Sequence, residues 1–252
     1  MKHGLIVSLA LIVVLCAAGA FAAQPLGGPA EANPGKWSAS VGYFYSQDKW
    51  TSNTLSGSFD PKIETNSYFG QLAYGVAPGW DVYLRAGAID AKLVQSSVDF
   101  TSNGNFFAGL GMHGRLYEKK PWHLALGPIA NFTYYTNWTD RSHNFAPGGT
   151  GLTSIKIKDH YSFNVGFGFQ WTPVEFLTIY GGPFYNYETA KLEASGIVGG
   201  VPFSGSGNNI SGDKSFGTRL GVRIPINKMF SLNFEGQMKD YGSVGGWINY
   251  SF

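Results

Sequence analysis

From Lys36 to Phe252 the chain alternates apolar and polar residues with a period of two, the repeat of a β-strand with two unlike faces. Ten segments can be set in phase from their apolar residues alone. The first carries Trp37, Ala39, Val41, Tyr43 and Tyr45 on one face; the second Tyr68, Gly70, Leu72, Tyr74 and Val76; the third Trp80, Val82, Leu84 and Ala86. The fourth runs from Phe106 to Leu116, the fifth from Trp122 to Tyr134 and the sixth from Tyr161 to Trp171. The seventh, from Leu177 to Tyr185, has the weakest phase; the eighth spans Phe216 to Ile226, the ninth Phe230 to Met238, and the tenth ends at Phe252.

The connections alternate in length. Short ones fall near residues 77–79, 118–121, 172–175 and 227–229, and long ones near 49–61, 90–103, 138–157 and 188–213. The last, near Asp240 to Ser243, is short and departs from the pattern. Short turns at one end and long loops at the other fit a closed antiparallel transmembrane β-barrel. Each segment can supply the roughly 9–11 residues that a tilted membrane strand needs. Ten strands is the expected number and eight the alternative; an even count places both chain ends on one side.

Charge checks the phasing. With phase set by apolar residues, Asp81, Arg85, His113, Arg115, Arg219, Arg223, Glu235 and Lys239 all fall on the opposite, lumen-facing phase. An Arg or Lys turned to mid-bilayer lipid would cost about 2–4 kcal/mol, so a one-residue slip is strongly disfavoured.

Composition agrees. Hydrophobic residues are 44% and aromatics 16%, while charged residues are 13% against roughly 25% in an average soluble domain. A soluble sandwich would bury its aromatics together; here Trp37, Trp80, Trp122, Trp171, Phe230 and Phe252 gather at the short-turn ends of the segments, as in an interfacial girdle. The net charge of +2 and the lack of a basic patch exclude a nucleic-acid partner.

At the amino end, Lys2 and His3 precede an apolar run from Leu5 to Ala18, and Ala20-Phe21-Ala22 offers a cleavage site. Residues 1–22 read as a secretory signal peptide cut before Ala23, too short for an anchor helix. The sole cysteine, Cys16, lies within it, so the mature chain has neither disulfide nor thiol chemistry. Residues 23–35 are Pro/Gly-rich and predict a flexible periplasmic lead-in to a single barrel domain over 36–252.

The final Ile248-Asn249-Tyr250-Ser251-Phe252, a terminal aromatic with apolar residues two and four places earlier, resembles the assembly signal of bacterial outer-membrane barrels. With the signal peptide, the alternation and the girdle, the whole mature chain resembles the small outer-membrane β-barrel superfamily of OmpA-like or porin-like single-domain proteins. The resemblance implies the outer membrane of a Gram-negative bacterium. It implies outer-membrane lipid, lipopolysaccharide included, as surroundings, and insertion by the barrel assembly machinery, which would read Ile248, Tyr250 and Phe252. It does not imply an activity, because this fold hosts pores, enzymes, adhesins and anchors.

Candidate chemistry lies on the inward phase. Gly42, Gly75, Gly87, Gly109, Gly111, Gly127, Gly166, Gly168, Gly217 and Gly221 project inward beside Arg85, Arg115, Arg219 and Arg223. Pairing the eighth and ninth segments about their turn sets Glu235 opposite Gly221, between Arg219 and Arg223. These five charged residues read either as a salt-bridge network filling the lumen or as a cation-lined passage for small anions. Side chains just fill an eight-stranded barrel, whereas 16–18 strands leave a channel; ten strands therefore exclude large solutes, while the inward glycines leave room for a narrow path.

Barrel enzymes fit poorly. Omptin-like proteases use Asp pairs and an Asp/His pair, and the chain has no D-x-D or D-x-H; Asp159 and His160 are adjacent and point to opposite faces. His160-Tyr161-Ser162-Phe163-Asn164 looks like the motif of lipid A deacylases, but the spacing to Asn164 is wrong and His160 and Ser162 face the lumen. His113, His123, His143 and His160 lack metal-ligand spacing, and His113 and His123 read as members of the lumen network. No cofactor, metal or catalysis is expected. The rival reading is a surface protein that binds a receptor through the Gly/Ser-rich segments 137–157 and 188–213, where Leu192 to Ser206 extends a hairpin above the membrane. The leading expectation is a porin-like barrel, structural or with a narrow passage for small ions or solutes.

Overall fold

The computed structural model describes residues 24–28, 34–52, 62–95, 98–140, 151–198, 201–239 and 242–252. The predicted signal peptide and parts of the loops near 53–61, 96–97, 141–150, 199–200 and 240–241 lie outside the described residues. Twelve strands follow in order: β1 Trp37–Ser52, β2 Lys62–Ala77, β3 Trp80–Gln95, β4 Val98–Gly114, β5 Tyr117–Lys119, β6 Leu124–Tyr135, β7 Trp138–Asp140, β8 Gly151–Val174, β9 Leu177–Val198, β10 Val201–Pro225, β11 Phe230–Met238 and β12 Gly242–Ser251. β5 and β7 are three-residue pieces that pair with β6 and β8. The other ten strands close a single antiparallel barrel, because β6 pairs with β8 and β1 pairs with both β2 and β12. No helix among the described residues is long and apolar enough to cross a membrane.

Closure rests on main chain. Trp37 N–H donates to the Phe252 carbonyl at 3.2 Å, and Phe252 N–H returns a bond to the Trp37 carbonyl at 3.0 Å. A ring of strands in hydrocarbon has no other way to satisfy its edges.

The pairing follows the hydrophobic alternation. Val41, Leu84, Phe106, Leu110 and Phe216 point outward and are exposed, while Asp81, Arg85, His113, Arg219 and Glu235 point inward and are buried. Gly221 stands opposite Glu235, the register that the turn between β10 and β11 predicts. In that turn the Asn227 side chain accepts from the Met229 and Phe230 amides at 2.8 and 2.9 Å, which fixes where β11 starts.

Two expectations change here. Much of the predicted long loops is continued hairpin: β3 and β4 pair out to Gln95–Val98, and β9 and β10 pair out to Val198–Val201. The described parts of Leu192 to Ser206, residues 192–198 and 201–206, thus lie in β9 and β10 of a β8–β9–β10 sheet. His123 is no lumen residue. It is exposed at φ 47° after the 3₁₀ turn Lys120–Trp122, because Pro121 breaks the strand before β6 begins.

The inward glycines do not leave a path. A Cβ on Gly42, Gly111, Gly217, Gly221 or Gly245 would meet the ring of Phe69, Tyr83, Phe184, Tyr180 or Phe44 at less than 3.0 Å. Each missing side chain is a slot that an inward aromatic fills, so the lumen is packed like a protein interior. Gly221→Ala would set its Cβ 2.3 Å from Tyr180 Cζ. Overpacking of this kind costs about 1–3 kcal/mol, to be read as a lower temperature for the gel-mobility shift of the folded barrel. Gly70→Ala, on the outer face with its nearest atom at 3.9 Å, is expected to leave that temperature unchanged.

Candidate functional site

The site is built around Glu235, at the centre of β11 and fully buried. One carboxylate oxygen accepts from Leu26 N–H and the other from Gly27 N–H, both at 2.8 Å. Two successive amides converging on one anion is a main-chain nest, and Gly27 permits it by adopting φ 73°. Residues 24–28 therefore lie inside the barrel, not in the flexible periplasmic lead-in expected of that stretch. Composition could not separate the two cases, since Pro and Gly serve a bound turn as well as a loose linker.

The other lumen side chains complete the binding. Arg85 Nη1 donates to the Pro25 carbonyl at 2.8 Å, its remaining nitrogens donating to Gln71 at 2.6 and 3.0 Å. His113 lies between two acceptors, the Asp81 carboxylate at 2.8 Å and the Leu26 carbonyl at 2.7 Å. Gln237 donates to the Gln24 carbonyl at 2.8 Å and to Glu235 at 2.7 Å. The Leu26 side chain is 1% exposed and packs with Ile129 and Phe184.

The five residues expected to form one charge network separate into three places. Arg219 approaches Glu235 at 3.7 Å and lies over Gly168, with none of its guanidinium nitrogens hydrogen-bonded among the described residues. Arg85 serves the same centre through Pro25. Arg223 instead donates to Asn233 at 3.1 Å, nearer the short-turn rim. Arg115 sits at that rim, 3.3 Å from Glu118 and partly exposed. Each of the three assembly-signal residues lies on the outer phase of β12 or just past it: Ile248 and Phe252 are exposed, and Tyr250 packs between the rings of Phe230 and Phe252.

A second buried group lies toward the long-hairpin end. His160 Nε2 meets Glu188 Oε1 at 2.5 Å, with Tyr135 stacked on the ring at 4.0 Å and Trp138 against its edge at 4.6 Å. Lys239 approaches Asp48 at 3.6 Å in the same region. Ser162 and Asn164 are buried beside them on the inward phase. Outside, Asp159 adopts φ 49° at a bulge in β8 and accepts from Lys191 at 2.7 Å, a bond that holds its carboxyl below the usual range.

Sequence reading missed Gln24, Pro25, Leu26 and Gly27, and also a cross-strand row of asparagines, Asn131–Asn164–Asn186, that crosses the lumen wall. The row was visible as inward-phase Asn in three segments, but only register aligns them. Among the described residues, no group of three or more His, Cys, Asp or Glu side chains is placed to hold a metal ion.

No protein-family model matches this sequence, and no curated protein does. Solved structures do resemble it. The translocator domain of autotransporter NalP from Neisseria meningitidis is 13% identical over 87% of this chain and 89% of that one, with a TM-score of 0.53. The outer membrane protease OmpT from Escherichia coli is 11% identical over 88% of this chain and 99% of its own, at 0.49. The outer membrane protein OprG from Pseudomonas aeruginosa is 14% identical over 88% and 98%, at 0.42. The likeness is one of fold: like these, the chain is a small closed β-barrel.

Proposed function

We propose that this is a porin-like barrel of a Gram-negative outer membrane, held shut at mid-lumen by its own residues 24–28. It is structural at rest, and it becomes a narrow passage for small ions or solutes when that segment leaves. The observation that carries this reading is the Glu235 carboxylate bound to the Leu26 and Gly27 amides inside the barrel. An open lumen would present Glu235, Asn233 and Tyr180 to water, and all three are fully buried. The short-turn rim is assigned to the periplasm, so the segment enters from there: Gly35 N–H bonds the Gly75 carbonyl at 2.8 Å at that rim, and Gln24 reaches Ser67 further up β2.

The reading assigns no catalysis. Tyr135 and Trp138 cover the His160–Glu188 pair, which suits a packed support better than a site that admits substrate.

Planar-bilayer recording tests the proposal. The native chain is expected to be silent. Leu26→Asp places a charge in the apolar pocket of Ile129 and Phe184 and should produce discrete steps. Once uncovered, Arg85 and Arg219 should bias reversal potentials toward anions. Identical conductance in the native chain and the variant would remove the segment's role as a closure.

A further inference from the structure

The lumen residues hold segment 24–28 almost wholly by its main chain. Gln237 takes the Gln24 carbonyl, Arg85 the Pro25 carbonyl, Glu235 the Leu26 and Gly27 amides, and His113 the Leu26 carbonyl. Pro25 has no N–H to satisfy. Every backbone polar group from the Gln24 carbonyl to the Gly27 amide is therefore either bonded or absent, the accounting that a buried peptide must meet. One apolar side chain, Leu26, is read by a pocket of Ile129 and Phe184, and Gln24 adds a side-chain bond to Ser67 at 3.2 Å. Four side chains that bond the segment, Arg85, His113, Glu235 and Gln237, are buried donors and acceptors set on three different strands.

From this we infer that the mid-lumen is a peptide-binding site open to the periplasmic rim, and that residues 24–28 are its resident occupant. Its ligand class is a short, uncharged peptide of the form x-Pro-Leu-Gly. The chemistry sets each position. A residue with an N–H in place of Pro would bring a donor that none of the bonds holding the segment satisfies. A charge in place of Leu would be stranded between Ile129 and Phe184. A residue other than Gly after it would strain the φ of 73°. Recognition through main chain plus one side-chain pocket does not depend on the peptide being covalently attached. The tether matters for occupancy: a short linker holds its segment at an effective concentration in the millimolar range, so a free peptide gains the site only when the attached one is weakened. The inference rests on the closed-lumen reading, in that both place residues 24–28 in the barrel.

The test uses the full chain in detergent micelles and a fluorescent, end-capped Gln-Pro-Leu-Gly-Gly peptide followed by anisotropy. Leu26→Asp, and independently Gly27→Val, weaken the resident segment without touching a strand. Each is expected to bind the peptide saturably and at least ten-fold more tightly than the native chain. A Gln-Pro-Asp-Gly-Gly peptide should lose that binding, as should Glu235→Gln added to either variant. Flat anisotropy in both variants with folded gel mobility overturns the site. So does equal binding of the two peptides, which marks adsorption to the apolar exterior. Conductance separates this failure from failure of the gate. A variant that conducts but binds no peptide retains the closure and loses the peptide site; one that binds peptide but stays silent does the reverse.

Discussion

Glu235→Gln is expected to unseat residues 24–28, to destabilise the barrel by about 3–5 kcal/mol, and to open a conductance. The change is nearly isosteric, so the effect is electrostatic and hydrogen-bonding in origin. The carboxylate accepts from two amides and faces Arg219 at 3.7 Å, and all of these groups are buried. An amide in its place accepts one bond and turns its NH₂ against the second N–H, leaving a buried donor unmet. Arg219 then keeps its charge in a dry interior with no counter-ion, the situation in which removing one partner costs most. The shift should appear in the temperature at which the folded band disappears on unheated gels. Glu118→Gln is the internal standard: Glu118 pairs with Arg115 at 3.3 Å on the exposed rim, and such a pair contributes under about 1 kcal/mol. If both substitutions shift the transition equally, Glu235 is not the anchor of the segment.

Phe252→Asp separates a recognition signal from a folding contact. The Phe252 side chain is exposed at the rim and stacks on Tyr250 at 5.5 Å, while the Phe252 main chain makes the closing bonds to Trp37. The substitution keeps those bonds. A carboxylate near the interface costs only about 0–1 kcal/mol, so refolding of the purified variant into detergent should be almost unchanged. If the assembly machinery reads this residue, the amount of inserted barrel in cells should still fall several-fold. Normal insertion in cells would remove Phe252 from the signal. An equal loss in vitro would instead assign its importance to closing the seam.

What the sequence disclosed depended on which face lipid touches. The outer face admits no charge in mid-strand, so its alternation is strict, and the strand phases and the Gly221–Glu235 pairing followed from it. The inner face is policed by no solvent. Aromatic, charged and glycine positions mix there, and only register shows that Gly221 makes room for Tyr180 or Gly111 for Tyr83. Reading those glycines as open space was natural for a list of residues and wrong for a ring of strands. The β9–β10 extension was partly hidden for a related reason. Its Gly- and Ser-rich residues look like loop, yet main-chain pairing continues to Val198 and Val201 regardless of side chain. Residues 24–28 were the least legible. Five residues carry no period, and the groups that fix them lie as far as 213 positions along the chain.

That distance has a consequence in time. Leu26 belongs to the leading part of the chain, and the carboxylate that holds it stands on β11, the strand before last. A polypeptide cut short before β11 lacks the carboxylate that takes the Leu26 and Gly27 amides, and one lacking β12 has no Phe252 to meet Trp37. The segment is fully fastened only once β11 is in place, so a fully seated segment is a receipt for a nearly completed molecule.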